Sequence, residues 1–337
     1  MNMLIPVLLF LVGLVLLIKG GDWFVDGATG IAHRFHVPDL LIGATVVSIG
    51  TTLPEVMVSA TSAVGGQGAM AYGNAIGSVI CNTSLIAALT IAIKPAPVEK
   101  KSLRMPVVFF FVAALFYAVT AYATGYFSRV TGVILLAGFL AYMIMQVKQA
   151  LSLKGKTGNA VVAEECASQA AGKENTPAKE EAPLFKDIIL LVIGAALITV
   201  GANLLVDNGT ILAKELGVPE SVIALTLVAL GTSLPELVTA ITSLVKGHGA
   251  LSLGNIIGAN LFNLVLVSGV SVTLAPFQVP AEKTISGMNA SLVVDIPLMF
   301  LVMMIMTIPP LVKGKLYRIQ GILLLCLYAG YCIFQFV

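Results

Sequence analysis

The sequence predicts an all-α integral membrane protein, with ten transmembrane helices arranged as two inverted five-helix repeats. Three observations carry that expectation. Of 337 residues, 58% are hydrophobic and only 11% are charged, against about 25% charged in an ordinary soluble domain. Apolar runs near the ~20 residues that cross a bilayer as a helix recur along the whole chain. Residues 20–82 also align without a gap on residues 201–263, with 26 of 63 positions identical. This composition excludes a disordered chain, a nucleic-acid binder and an ordinary soluble enzyme, and a net charge of +2 points to no acidic partner.

The apolar runs are 3–20, 40–64, 69–93, 105–124, 130–147, 187–206, 221–245, 250–275, 288–309 and 316–336. The first is not a cleaved signal, because no basic region precedes it and no small-residue cleavage site follows. Orientation follows from the basic residues, which favour the cytoplasmic side. With the N-terminus outside, the inner loops hold 16 of the 19 Lys and Arg, among them Lys19, Arg34, Lys94, Lys246 and Lys315. The outer loops hold Arg129, Lys214 and Lys283. Both termini are therefore expected outside. The longest connection, 148–186, is dominated in its central part by Ala, Gly, Lys and Glu and reads as a flexible cytoplasmic linker. It separates a first repeat, 1–147, from a second, 187–337. Cys81, Cys166, Cys326 and Cys332 show no metal spacing and no disulfide framework, and read as inert membrane thiols.

The repeat keeps residues that apolar composition alone would not match. Val37-Pro38 pairs with Val218-Pro219, Leu53-Pro54-Glu55 with Leu234-Pro235-Glu236, Gly73-Asn74 with Gly254-Asn255, and Asn82 with Asn263. The shift of 181 residues spans five helices, an odd number, so the two halves enter the membrane in opposite directions. Inverted repeats are a mark of secondary transporters, whose ion sites sit near the midplane at the repeat interface.

The residues with chemistry lie in SIGTTLPEVMVSATS (48–62) and its partner ALGTSLPELVTAITS (229–243). Each places a glutamate deep in an apolar span, where an ionisable side chain costs about 2.5–3.5 kcal/mol and is by default functional. Pro54 and Pro235 lack an amide hydrogen, so each should free the carbonyl four residues earlier, at Gly50 and Gly231, and open the preceding turn. Thr51, Thr52, Thr232 and Ser233 add hydroxyls at the expected break, and Ser48 shares a helix face with Glu55. Carboxylate, carbonyl and hydroxyl oxygens together suit hard cations such as Ca²⁺ and Na⁺. The absence of a nearby His or Cys cluster argues against Zn or Cu. The second element, GNAIGSVICN (73–82) with GNIIGANLFN (254–263), offers Asn82 and Asn263 as further ligands or as interhelical glue, with Ser78 on the helix face of Asn82, and its glycines as close-packing positions. Asp26 and Asp207 read as helix-end or surface residues, and Asp295 as an acid snorkelling to the interface or filling a polar gap. His33, His36 and His248 make no protease constellation.

At these residues the sequence resembles the sodium/calcium exchanger superfamily of cation/calcium antiporters. The resemblance rests on the paired GT[ST]LPE and GN-x-[IV]-G-[SA] segments and covers both repeats. It implies two five-helix halves that rock against each other. It also implies that Glu55 and Glu236 share a central Ca²⁺ site with oxygens from Thr51 and Thr232, completed by Asn82 and Asn263. Ser48, Thr52, Ser78, Ala229 and Ser233 would form flanking Na⁺ sites. Two departures stand out. Ala259 replaces a frequent Ser, and Asn263 replaces the Asp of many relatives, which argues against potassium dependence. The linker also lacks the regulatory calcium-binding domains of animal members.

The expected activity is Ca²⁺ exchange against Na⁺ by alternating access, with the bilayer and the two ions as partners and no cofactor or enzymatic step. The same glutamates, simply protonated, would serve Ca²⁺/H⁺ exchange. A cation channel or a non-transporting sensor is the rival of another class, disfavoured by the inverted repeat. A prokaryotic plasma membrane is the expected location.

Overall fold

A computed structural model describes residues 3–95, 97–170, 184–216, 231–281, 284–285 and 287–336, with only the backbone of 153–170 and of 336. Ten helices run through the described residues: α1 Leu4–Arg34, α2 Asp39–Val64, α3 Gly68–Ile93, α4 Lys100–Thr124, α5 Arg129–Ala170, α6 Leu184–Glu215, α7 Leu234–Val245, α8 Gly249–Leu274, α9 Ser291–Lys313 and α10 Arg318–Phe336. Among them, nine are long and apolar enough to cross a membrane, and α7 is a shorter apolar helix. The predicted start of the seventh span, with Ala229, lies outside the described residues. Two small ribbons complete the structure. In one, β1 (Tyr126–Phe127) pairs antiparallel with β2 (Phe277–Gln278); in the other, β3 (Thr284–Ile285) pairs with β4 (Met288–Asn289).

Most helices fall where the apolar runs place them, but α1 and α6 are longer. They have 31 and 32 residues, about 45 Å at 1.5 Å per residue, which exceeds a hydrocarbon core of ~30 Å. The expected ends at 20 and 206 are thus corrected. Gly20 and Gly21 do not stop α1, because both are buried against neighbouring helices. Asp22 and Asp26 are tolerated on α1 because Lys246 lies 3.4 Å and 2.8 Å from their carboxylates. Lys19 accordingly sits on a helix and not in a loop, and Asp26 is internal to α1 rather than at its end. The fifth helix likewise runs past 147 to Ala170.

The inversion is visible in the crossing of α1 and α6. A Cβ added to Gly13 would lie 2.8 Å from the Gly201 carbonyl oxygen, and one on Gly201 would lie 2.8 Å from that of Gly13. Further along, a Cβ on Gly20 would meet the Gly194 carbonyl oxygen at 3.0 Å, and one on Gly194 would meet that of Gly20 at 2.8 Å. Rising numbers on α1 meet falling numbers on α6, so the helices are antiparallel. Shifting by 181 turns Gly13–Gly201 into Gly194–Gly20, so one contact is used twice about a two-fold axis. Small residues let helix backbones touch in this way in a bilayer.

The same turn also ends the acid-bearing helix of each half. Gly66 and Gly247 hold φ of 79° and 87°, which glycine adopts without a steric penalty. The next amide folds back in both halves, from Gln67 N to Ser62 O at 2.8 Å and from His248 N to Ser243 O at 2.7 Å. Inside, α8 is buried at every residue from Leu251 to Val265, while α1 and α6 expose apolar side chains such as Leu8, Val15 and Val192. The helices carrying the conserved repeat segments are therefore interior, and the long glycine-crossed pair is peripheral.

Candidate ion-binding site

Glu55 on α2 and Glu236 on α7 are both 0% exposed. Their carboxyl groups face each other closely enough to interact directly, and Thr51 and Thr52 sit beside Glu236. None of the four carboxylate oxygens finds a hydrogen-bond partner among the described residues. The same holds for both amide atoms of Asn82 and of Asn263, and for the hydroxyls of Thr52 and Ser233. Burying a polar group unpaired is costly, and a bare charge far more so. The oxygens gathered here are of the kind that hard cations prefer.

Around the carboxylates a second set of bonds holds the frame. Thr51 Oγ1 donates to Asn255 Oδ1 at 3.1 Å, and Thr232 Oγ1 donates to Asn74 Oδ1 at 3.3 Å. The 181-residue shift maps one bond onto the other, so each acid-bearing segment is tied to the Gly-Asn helix of the opposite half. Each hydroxyl spends its hydrogen on the asparagine, which leaves its lone pairs uncommitted by that bond. Asn74 Nδ2 also donates to the Glu55 carbonyl at 3.3 Å and to Ser59 Oγ at 2.7 Å. Sequence reasoning assigned no role to Asn74 or Asn255. Their identity within both Gly-Asn pairs was the available signal.

Three π turns widen the helices near the site: Gly43–Val47 in α2, Asn82–Ala87 in α3 and Asn263–Val267 in α8. The last two begin at repeat-matched asparagines, and π turns are frequent at functional sites. Ser48 Oγ donates to the Gly43 carbonyl at 2.7 Å and to the Asn255 carbonyl at 3.0 Å. Ser268 Oγ likewise reaches the carbonyl of Asn263 at 3.0 Å. Serine hydroxyls thereby satisfy carbonyls released by the wider turn. Tyr142 OH reaches the Ala44 carbonyl at 2.9 Å and braces the α2 π turn from α5.

The expectation of matched proline breaks needs correction. Thr232 and Ser233 form a non-helical turn, and α7 starts at Leu234 with Pro235 in its first turn. In α2 the helix Ser48–Val64 continues through Pro54. There the strain of the missing amide falls close behind a π turn that has already loosened the ladder. Ser78 is buried one turn before Asn82, and Gly254 and Gly258 press on Leu40 and Ala44 of α2. Asp295 accepts from Tyr331 OH at 3.3 Å, as an acid filling a polar gap does. His248 Nδ1 lies 2.9 Å from Asp39 Oδ2 and takes no part in a nucleophilic constellation.

Two inverted five-helix halves that close on a pair of unpartnered buried carboxylates define a secondary transporter, and not an enzyme. The sequence matches the model of the sodium/calcium exchanger protein family over residues 5–148 and 186–337, and the chain belongs to that family of membrane antiporters. It is 35% identical to the inner membrane protein YrbG of Escherichia coli over 82% of each chain. It is 29% identical to the sodium/calcium exchanger MaX1 of Methanosarcina acetivorans over 98% of each chain. A solved structure of the sodium-calcium exchanger NCX_Mj superposes with a TM-score of 0.77 at 32% identity, covering 97% of both chains.

Proposed function

We propose that this antiporter exchanges Ca²⁺ for Na⁺ by alternating access, with residues 1–147 and 187–337 as the two moving halves and 148–186 as a cytoplasmic linker. The observation that carries the reading is the facing pair Glu55 and Glu236, whose oxygens lack partners among the described residues. Ionised, the pair holds a charge of −2, which one Ca²⁺ or two Na⁺ neutralise. Thr51, Thr232, Asn82 and Asn263 complete the central site in this reading, and Ser48, Thr52, Ser78, Ala229 and Ser233 serve the flanking Na⁺ positions. Both cargoes need the same oxygens, so they exclude each other, and an empty charged site resists crossing the barrier. That exclusion is what couples the fluxes.

The test is radioactive Ca²⁺ uptake into proteoliposomes. Uptake is expected to follow an imposed Na⁺ gradient at clamped pH, and to be abolished in Glu55→Gln and in Glu236→Gln. Uptake driven by a pH gradient without Na⁺ would instead establish proton coupling at the same carboxylates. Robust exchange in either glutamine variant would remove the site assignment.

A further inference from the structure

Buried hydroxyls in this protein ordinarily bond their own helix. Thr29, Thr83, Ser271, Thr273 and Thr307 each donate to the carbonyl four residues earlier, the usual resting place of a helical hydroxyl. Thr239 and Ser243 of α7 and Ser252 of α8 do not. They are 0%, 0% and 2% exposed, and their hydroxyls find no partner among the described residues. An unpaired buried hydroxyl costs about 1–3 kcal/mol, so three in one place need a purpose.

Their placement supplies it. Glu236, Thr239 and Ser243 of α7 follow one another at i, i+3 and i+7, within a sector of about 60° on a 3.6-residue helix. The stripe thus starts at the carboxylate and runs along α7 towards its C-terminal end. There Ser252, with Thr90, Leu244 and Gly249, lines a cavity of about 20 Å³, room for roughly one water molecule. The exposed Lys94 and the buried Leu316 also line that cavity, on the face of the α3–α4 and α9–α10 connections. The first half places its hydroxyls differently, with Ser59 and Ser62 following Glu55 at i+4 and i+7 on α2. The positions matching Thr239 and Ser252 are Val58 and Ala71, and only Ser62 matches Ser243.

We infer that Thr239, Ser243 and Ser252 line the route by which the transported cation passes between Glu236 and the face bearing Lys94 and His248. The inference rests on Glu236 as the central site. Each hydroxyl offers lone pairs to a cation that has shed part of its water. On α7 about one helical turn, roughly 5.4 Å, separates successive oxygens, so the ion meets the next before leaving the last. The burial of all three means that the route is closed in this conformation.

Thr239→Val and Ser243→Ala test the route, because they remove an oxygen and little volume. Ca²⁺ uptake by each variant in proteoliposomes should fall about tenfold, equal to ~1.4 kcal/mol on the barrier. Equilibrium ⁴⁵Ca²⁺ binding to the same purified variants should stay within about twofold of the parent. Thr242→Val, on the side of α7 that meets Gly21 of α1, should change neither. Parental uptake in both route variants would overturn the inference, as would loss of binding in step with uptake. Glu236→Gln serves as the separate check, since its retention of Ca²⁺ binding would overturn the central site instead. A second measurement uses Ser243→Cys in a transporting background with Cys81, Cys166, Cys326 and Cys332 replaced by Ser. Modification by a small cationic thiosulfonate from the face bearing Lys94 and His248 only supports the route, and modification from the opposite face, from both faces or from neither overturns it.

Discussion

At the scale of single residues, the carboxylates depend on asparagines that touch no charge themselves. Asn74 spends its amide on the Glu55 carbonyl and Ser59 and its oxygen on Thr232. Asn74→Ala strands those groups in a buried setting, where a lost partner costs about 1–3 kcal/mol. It should lower the thermal unfolding midpoint in detergent by several degrees and slow Ca²⁺ uptake, with Asn82→Ala sparing the midpoint more than the uptake. Glu55 and Glu236 were legible in the sequence because charge inside an apolar run is conspicuous. Asn74 and Asn255 were not, because an asparagine after glycine is equally at home in a turn or a packing seam. Their partners, Thr232 and Thr51, lie in the opposite half, and only the folded chain brings them together.

At the scale of elements, the α1–α6 crossing is the clearest mechanical feature. Its glycines leave no room for a Cβ beside the opposing carbonyl. Gly201→Ala should therefore destabilise by about 1–3 kcal/mol through overpacking. Gly330→Ala, in α10 with no described atom within 4 Å of the added carbon, should stay within ~1 kcal/mol of the parent and trend towards gain. Unfolding midpoints of the two variants side by side provide the check. The number and order of helices could be read from apolar runs, but the lengths of α1 and α6 could not. Their polar and glycine residues are compensated by partners distant in sequence, such as Lys246 for Asp26. The π turns also left no sequence trace, since a single i→i+5 turn imposes no repeating pattern. Identical prolines gave a break in one half and continuous helix in the other because their surroundings differ.

At the scale of the whole molecule, contacts between connections sort into two sets. His248 pairs with Asp39, Arg34 lies 3.6 Å from Asp187, and Val98 N donates to Gly314 O at 2.8 Å. These belong to the α1–α2, α3–α4, α7–α8 and α9–α10 connections and to the start of α6. On the other face, β1 pairs with β2, Val279 N donates to Gly125 O at 2.9 Å, and Gly68 packs under Phe277. This is the alternation that ten spans require. The division of basic residues then predicts which face is cytoplasmic. A single cysteine at Gln67 should react with an impermeant maleimide added outside intact cells, and one at Lys315 should react only after permeabilisation. The reverse pattern would invert the assigned orientation.

The two halves share a sequence pattern but not a conformation. Asn74 holds the Glu55 carbonyl, whereas the Nδ2 of its counterpart Asn255 has no partner among the described residues. In an inverted-repeat transporter, exchanging the two arrangements describes the state open to the opposite side. The bonds from Thr51 to Asn255 and from Thr232 to Asn74 survive such an exchange, each being replaced by the other. Others have no image: Ser59 maps to Ala240, which has no hydroxyl to offer Asn255, and Ser48 maps to Ala229. The bonds made by Ser48 and by Ser59 therefore have no counterpart in the mirrored arrangement, and each is worth about 0.5–1.5 kcal/mol. Under the proposed alternating access, the two unloaded orientations are then expected to be unequally populated, each such bond shifting the balance by roughly two- to tenfold.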